Sequence, residues 1–229
     1  MKKILFTMLL PLLTVASSFA QYYDNDPVGT KYEYEITNPL LGKMSAIYKL
    51  IAVDDNTLTY EVTTTMPGAD EPSVAVNKLT MSDGKLIIDM ESVINETKNN
   101  LGTSLGTTNM EVEIEGETGY TPLQGKKGDK LPLHTYTATV NTQGMTIVNK
   151  IEVQSNEIVE EEKVTLPAGE FETFVQALDT KSTIEVMGQK QSFSQTQKTW
   201  IVPNKGVVKL VQSSMGQEFT TTLVKITRP

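Results

Sequence analysis

The chain has 229 residues, a formal net charge of −8 and no cysteine. The lack of cysteine excludes disulfides, a thiol nucleophile and a thiolate metal site. The acidic balance disfavours nucleic acid as a partner, because a negative surface repels phosphate backbones.

Residues 1–20 have the pattern of a cleavable secretion signal. Two lysines form a basic start, the run from Ile4 to Val15 is mostly apolar, and Ser18 and Ala20 are small residues where a signal peptidase cuts. The apolar run is too short to cross a bilayer, which needs about 20 apolar residues. We therefore expect cleavage between Ala20 and Gln21, no permanent membrane anchor, and a mature protein in the periplasm or outside the cell.

Removing the signal takes away two lysines, so the net charge of the mature chain falls from −8 to −10. The remaining residues, 21–229, suffice for one packed domain without disulfide support. We expect a single β domain. The alternative is two sub-domains that divide near residue 105.

Apolar and polar residues alternate over most of the mature chain, as expected for strands with one wet face. The alternation is clearest in residues 31–36, 57–64, 110–115 and 145–153. Turn signals rich in Gly, Pro, Asn and Asp lie at residues 54–56, 67–68, 83–84, 125–129, 143–144, 203–206 and 216. Their spacing predicts an all-β fold of about twelve strands, in an antiparallel, strongly curved sheet that forms an open or half barrel.

One segment departs from this pattern. Met90, Val93, Ile94 and Thr97 recur at helical spacing, and Asp89 precedes them as a candidate N-cap. We expect one short helix near residues 90–99, followed by a loop over residues 100–109.

Three segments carry apolar residues on both faces, namely residues 46–53, 171–178 and 207–211. Such a strand is central in a sandwich, lies beneath a helix, or lines an apolar cavity with one face. The last alternative offers a place for a ligand.

His134 is the only histidine, so a Ser-His-Asp triad would have to use it. It follows Leu131-Pro132-Leu133 at the start of a strand, and the chain has no Gly-x-Ser-x-Gly nucleophile motif. We interpret His134 as a histidine at a strand end and expect no catalytic residue.

Two short acidic runs could supply oxygen ligands for calcium. Asp24, Asn25 and Asp26 resemble the start of a calcium loop, but Pro27 breaks the pattern and the distal ligands are out of register. Glu160 to Glu162 lie at a strand end, where two of the three should face water. We expect no metal site and no cofactor.

Glycoside hydrolysis needs two convergent carboxyl groups. Glu111, Glu113 and Glu115 instead share the polar face of one strand, which indicates a solvated surface. Trp200 lies beside a strand end at Pro203, and we interpret it as a core side chain and not as a ligand contact.

Three separated motifs carry a family resemblance. They are Gly128-Asp129-Lys130-Leu131-Pro132, the Pro-Ala-Gly-x-Phe step at residues 167–171, and the Trp-x-x-Pro-x-x-Gly-x-Val pattern at residues 200–208. Over roughly residues 120–215 the chain thereby resembles exported bacterial proteins of the DUF3108-like group, also called the TapB family. The resemblance implies a curved antiparallel sheet similar to the open barrels of envelope lipid carriers, and it implies no reaction. We attribute Gly169 to a tight step that a Cβ atom would obstruct.

From these observations we expect an exported, non-enzymatic envelope protein that binds a hydrophobic or lipid-like ligand in its curved sheet. A cavity of about 300 Å³ or more should then be present. The first alternative is an interaction module that pairs with another envelope protein through a sheet edge. The second alternative is a hydrolase. The sequence identifies neither the ligand-binding residues nor the oligomeric state.

Overall fold

The computed structural model describes residues 22–229 apart from 40–41, 69, 90, 93, 96–97, 99–109, 118 and 143. The predicted signal, its cleavage site at Ala20 and Gln21, and the predicted loop 100–109 lie outside the described residues.

The described chain forms thirteen strands in one antiparallel sheet. Their bounds are β1 Lys31–Asn38, β2 Gly42–Asp54, β3 Thr57–Thr65, β4 Ser73–Ser82, β5 Lys85–Ile88, β6 Met110–Gly116, β7 Thr121–Pro122, β8 Thr135–Thr142, β9 Met145–Leu166, β10 Gly169–Val186, β11 Gln189–Val202, β12 Gly206–Ser214 and β13 Gln217–Thr227. The strand order is β6-β8-β9-β10-β11-β12-β13-β1-β2-β3-β4-β5-β7. The sheet therefore has two free ends and is not closed into a barrel, which confirms the predicted fold class.

Irregular pairing explains why the sheet curves. Register shifts interrupt the ladders at Glu33/Tyr34, Leu50/Ala52, Val175/Gln176, Asp179/Thr180 and Trp200/Ile201. Each shift is a bulge that bends its strand and increases the local twist. Two of them lie between β9 and β10, the two longest strands, so this hairpin bends twice.

The two ends of the sheet lie near each other. Strand β6 is at one end and β7 is at the other, yet only residues 117–120 connect Gly116 to Thr121. A fully extended connection of this length spans about 18 Å at most. We call the gap between β6 and β7 the seam.

The connection from β5 to β6 is helical at its start. Glu91, Ser92, Ile94, Asn95 and Lys98 are its described helical residues. The backbone N–H of Ser92 donates to Asp89 Oδ2 at 3.2 Å, so Asp89 caps the helix as predicted. No helix in the described part of the chain is long and apolar enough to cross a membrane.

The inner face of the sheet holds two separate apolar clusters. The main core includes Tyr32, Tyr34, Leu50, Tyr60, Phe174, Ile201, Val207 and Leu223. The small core consists of Met110, Val112, Val140, Ile147, Ile184, Val186 and Phe193, with Ile94 packed against it.

The prediction of strands buried on both faces holds for two of the three segments. Phe174 and Val175 are at most 2% exposed, as are Val207 and Val208. The segment 46–53 differs, because Ile51 and Val53 are 37% and 41% exposed. Ile51 lies at the register shift between Leu50 and Ala52, and Val53 is next to the last residue of β2.

Candidate functional site

Uncharged polar side chains cross the inner face between the two cores. Residues two apart on a strand share a face, so the β10 positions between Phe174 of the main core and Ile184 of the small core face inwards. By the same reasoning, alternate positions of β11 between Phe193 and Ile201 also face inwards. We call this surface the polar band; it consists of Asn156, Gln176, Thr180, Gln195, Gln197, Thr199, Gln212 and Ser214.

Most of the polar band is buried, with Thr180, Gln197 and Ser214 half-buried, and none of its members is charged. Gln176, Gln195 and Gln212 are only 6–7% exposed, and Thr199 is 4% exposed. Charged residues of the same strands, such as Asp179 and Lys198, are exposed. The band therefore presents amide and hydroxyl groups in a neutral interior, where each unpaired polar group is costly.

The hydrogen bonds within the band differ in length, from 2.8 Å to 3.5 Å. Gln176 Nε2 donates to Asn156 Oδ1 at 2.8 Å. Gln195 Oε1 accepts from Thr180 Oγ1 at 3.3 Å and from Gln212 Nε2 at 3.5 Å, which is near the limit for a hydrogen bond. The Gln195 region could therefore exchange these contacts for better ones to another molecule.

Two buried polar atoms of the inner face, one of them in the band, have no hydrogen-bond partner. Ser214 Oγ belongs to the band, opposite Gln195. Asn149 Nδ2 lies on β9 in the region of the small core, opposite Ile184, on a residue with 0% exposure whose Oδ1 accepts from Ser182 Oγ at 2.6 Å. Because buried polar groups in folded proteins are nearly always paired, these atoms are candidates for contacts to a ligand or to water.

Tyrosines fill the main core. Their rings pack edge to face with centroids 5.4–6.3 Å apart, in the pairs Tyr22–Tyr32, Tyr32–Tyr60, Tyr48–Tyr60 and Tyr34–Tyr48. Burial raises the pKa of Tyr22, Tyr32, Tyr34 and Tyr60 above the usual 10.0, so these phenols stay neutral. The protein's own side chains thus occupy this end of the interior.

Residues 22–26, the first that the structure describes, are attached to the main core by several contacts. Tyr22 bridges to Gly206 and is 4% exposed, while Asp24 forms an ion pair with Lys205 at 2.7 Å. The Asp26 side chain, 4% exposed, accepts from Tyr32 Oη at 2.8 Å and pairs with Arg228 at 2.5 Å. Asp24 and Asp26 are therefore engaged with different partners within the protein.

The second acidic run also makes structural contacts. Glu161 Oε1 accepts from the backbone N–H of Lys127 at 3.0 Å. Glu162 Oε1 accepts from Trp200 Nε1 at 2.5 Å. Among the described residues, no group of three or more His, Asp or Glu side chains could hold a metal ion.

Trp200 is 9% exposed and belongs to the main core. The Lys209 ammonium lies 4.4 Å from its ring centroid. The contacts of Trp200 with Glu162 and Lys209 match a packed side chain with a satisfied N–H group.

His134 lies just before β8 and is half-buried. Its ring packs so closely on Gly119 that a Cβ atom there would lie 2.5 Å from Nε2. Burial lowers the pKa of His134 below 6.5, although the Glu117 charge and a hydrogen bond to the Pro132 carbonyl act in the opposite direction. None of these described contacts is a hydroxyl nucleophile.

The first family motif lies in a segment that crosses between the two ends of the sheet. We call residues 123–134, between β7 and β8, the strap. Gly128 N donates to the Ile158 carbonyl at 2.7 Å, and Ile158 N donates to the Asp129 carbonyl at 2.9 Å. Asp129 Oδ2 also accepts from Lys126 N at 2.7 Å, which closes the turn. The motif therefore fastens the strap to β9.

A close approach fixes the strap over the main core. A Cβ atom at Gly125 would lie 2.9 Å from Ile158 Cγ1 and 3.4 Å from the Phe174 ring. Only glycine lets the backbone pass this close.

The other two family motifs form hairpin turns. Pro167 and Ala168 join β9 to β10, and residues 203–205 join β11 to β12. The prediction that a Cβ atom at Gly169 would be obstructed is wrong, since it would come no closer than 3.8 Å to the Phe171 ring. Glycine is favoured there by the positive φ of 141°, which side chains with a Cβ rarely adopt.

A shallow cleft of about 400 Å³ lies on the outer face of the sheet, where Glu33, Lys43, Ser45, Ile47 and Val224 line it. Its glutamates are engaged, because Glu33 pairs with Lys225 and Glu35 pairs with Lys43. This cleft is not the inner cavity that the sequence predicts, and that cavity stays a prediction.

The end strands carry features that oppose pairing. Strand β7 has only two residues, and β6 exposes Glu111, Glu113 and Glu115 on its outer face, as predicted. Short length and charge are common ways of preventing edge-to-edge association.

The polar band was not predicted from the sequence. Its glutamines resemble surface residues, and two of them, Gln195 and Gln197, lie in a stretch rich in Gln, Ser and Thr at residues 191–199. The alternation along β11 could have revealed it. Gln195 and Gln197 continue the alternation from Phe193 to Ile201 and so belong to the buried face.

Structural comparison supports the fold. A Bacteroides fragilis protein, described as exported and as having a YmcC-like fold, superposes with a TM-score of 0.60 at 16% identity, over 92% of this chain and 100% of its own. A Parabacteroides distasonis protein, described as a lipoprotein, gives a TM-score of 0.57 at 13% identity over the same shares. At these identities the likeness concerns the fold alone, and the descriptions suggest a family of the cell envelope.

The sequence comparisons give the family. A search among curated proteins found no match. The family model described as DUF3108-like matches residues 27–222, a wider range than the three motifs cover, and it carries no second name such as TapB. The chain therefore belongs to the DUF3108-like family.

Proposed function

We propose that this protein is an exported, non-enzymatic binding protein of the cell envelope, which holds an uncharged ligand against the polar band. The secretion signal, with cleavage between Ala20 and Gln21, would deliver it to the periplasm or the cell exterior. The exported and lipoprotein descriptions of the two similar structures agree with this location.

The polar band is the observation that supports this proposal. A sheet that served only as a scaffold would be more stable with apolar side chains between its two cores, since buried amides need partners. In this band Ser214 Oγ is buried without a partner, and Gln195 has long hydrogen bonds. A bound molecule with hydroxyl or amide groups would satisfy them.

The chemistry of the band refines the expected ligand. A purely hydrocarbon ligand would leave the amides of Gln195 and Gln212 unpaired, and an ionic ligand would find no opposite charge in the band. The apolar residues on either side, such as Phe193 and Ile201, suit the less polar parts of the same molecule. We therefore narrow the class of expected ligand from lipid-like molecules in general to those that carry uncharged hydrogen-bonding groups.

We place the entry of the ligand at the seam, because the strand pairing at β7 is short. Strand β7 has two residues, and two paired positions, Lys85–Pro122 and Leu86–Thr121, hold it to β5. The next residue adds two backbone hydrogen bonds, from Leu123 N to the Gly84 carbonyl and from Asn204 N to the Leu123 carbonyl, both at 2.7 Å. The total is still small, as is typical of segments with low local stability.

We expect this protein to catalyse no reaction. His134 packs on Gly119 beside Glu117 and the Pro132 carbonyl. In the two acidic runs, the carboxylates of Asp24, Asp26, Glu161 and Glu162 contact other residues of the protein. The interaction-module alternative has less support, because the end strands are short or negatively charged.

Native mass spectrometry of protein purified from its own host tests the proposal. We expect a co-purifying molecule that is lost from Gln195→Leu and Gln212→Leu. The matched control is Gln154→Leu, which makes the same change at an exposed position of β9. A wild-type protein without any bound molecule, or equal retention in all three variants, would contradict the proposal. Circular dichroism of each variant establishes that the sheet is intact.

A further inference from the structure

Two hairpin turns of this protein hold methionine where folding favours another residue. Met187-Gly188 joins β10 to β11, and Met215-Gly216 joins β12 to β13. Both turns have two residues with positive φ, 53° and 77° in each case. This is the type I′ geometry, which strongly prefers Asn or Asp before Gly.

The same chain contains the expected version of this turn. Asp83-Gly84 joins β4 to β5 with φ values of 50° and 70°. The other described non-glycine residues with positive φ are Asn25, Asp55 and Asn204. Methionine is thus the exception at two of the six such positions.

These two are also the most exposed of the methionines that the structure describes. Met187 is 76% exposed and Met215 is 57% exposed. The other methionines whose exposure is described are buried or half-buried, namely Met44, Met66, Met81, Met110 and Met145. A residue in the left-handed region costs about 1–2 kcal/mol, and an exposed thioether returns no packing energy. Backbone strain without structural gain is a reason to look for a role outside folding.

We propose that Met187 and Met215 are oxidant-reactive sites, at which peroxides met outside the cytoplasm are reduced without damage to the fold. The mature chain has no cysteine, so thioether sulfur is its only oxidisable sulfur. The methionine sulfur attacks one oxygen of hydrogen peroxide, the O–O bond breaks, and a sulfoxide forms while the second oxygen leaves as water. Sulfur loses two electrons and the peroxide gains two. The more polar sulfoxide is tolerated because both turn tips lie in solvent.

Limited oxidation with hydrogen peroxide, followed by peptide mass spectrometry, tests this assignment. We expect sulfoxide at Met187 and Met215 to form roughly tenfold faster than at buried Met110, with no change in melting temperature. The double variant Met187→Asn/Met215→Asn should lose the fast phase and keep the slow one. Met187→Leu/Met215→Leu provides the same readout with an apolar side chain of similar size.

Equal oxidation rates at Met110 and the two turn methionines would overturn the proposal. So would a fall in melting temperature that accompanies sulfoxide formation at the turns alone.

Discussion

The contact between Asp26 and Tyr32 should be a main attachment of the N-terminal segment to the sheet. The Asp26 side chain is 4% exposed and Tyr32 is 0% exposed, with 2.8 Å between Oδ2 and Oη. Asp26→Ala leaves the Tyr32 hydroxyl buried without its acceptor, which costs about 1–3 kcal/mol. Loss of the Arg228 ion pair adds up to about 1 kcal/mol, because the Arg228 side chain is 52% exposed.

A double-mutant cycle isolates this contact. Tyr32→Phe should cost about 1–2 kcal/mol, since the carboxylate keeps Arg228 as a partner. The double variant should be more stable than the sum of the single losses predicts, with a coupling of about 1–2 kcal/mol. Urea unfolding followed by circular dichroism provides the free energies. Additive losses, with coupling below about 0.5 kcal/mol, would show that the contact does not hold the segment.

Three further predictions follow from single side chains. Burial lowers the pKa of His134, so near and below pH 6.5 the His134 side chain is protonated to a greater extent in the unfolded chain than in the folded chain. The free energy of unfolding should therefore fall from about pH 7.5 to about pH 5 more steeply in the wild type than in His134→Gln; parallel urea-midpoint profiles would refute this. Met187→Asn and Met215→Asn should each raise the free energy of unfolding by about 1 kcal/mol in urea titrations, because asparagine accepts positive φ, and unchanged midpoints would count against turn strain. Trp200→Phe leaves Glu162 without its indole donor and should cost about 1–3 kcal/mol by the same measurement; a loss near zero would show that this short contact contributes little.

The local structure of this protein follows from its sequence where one side chain decides the outcome. Leu58, Tyr60 and Val62 alternate with polar residues, and they lie buried on one face of β3 as the period of two requires. Asp89 caps the predicted helix because its carboxylate can reach the N–H of Ser92.

Long-range pairing and turn strain could not be predicted in the same way. The pairing of β5 with β7 places Pro122 opposite Lys85, which depends on the path of the whole chain and not on any local pattern. The Met187 turn was missed because methionine is not a turn-forming residue. The polar band was missed because glutamine commonly faces solvent, whereas its alternation with Phe193 places Gln195 inside.

A crystal structure of the protein purified from its own host would test the central claim most directly. The account predicts an uncharged molecule within hydrogen-bonding distance of Ser214 Oγ and of the amides of Gln195 and Gln212. An inner face on which these groups bond only to one another and to water would contradict it.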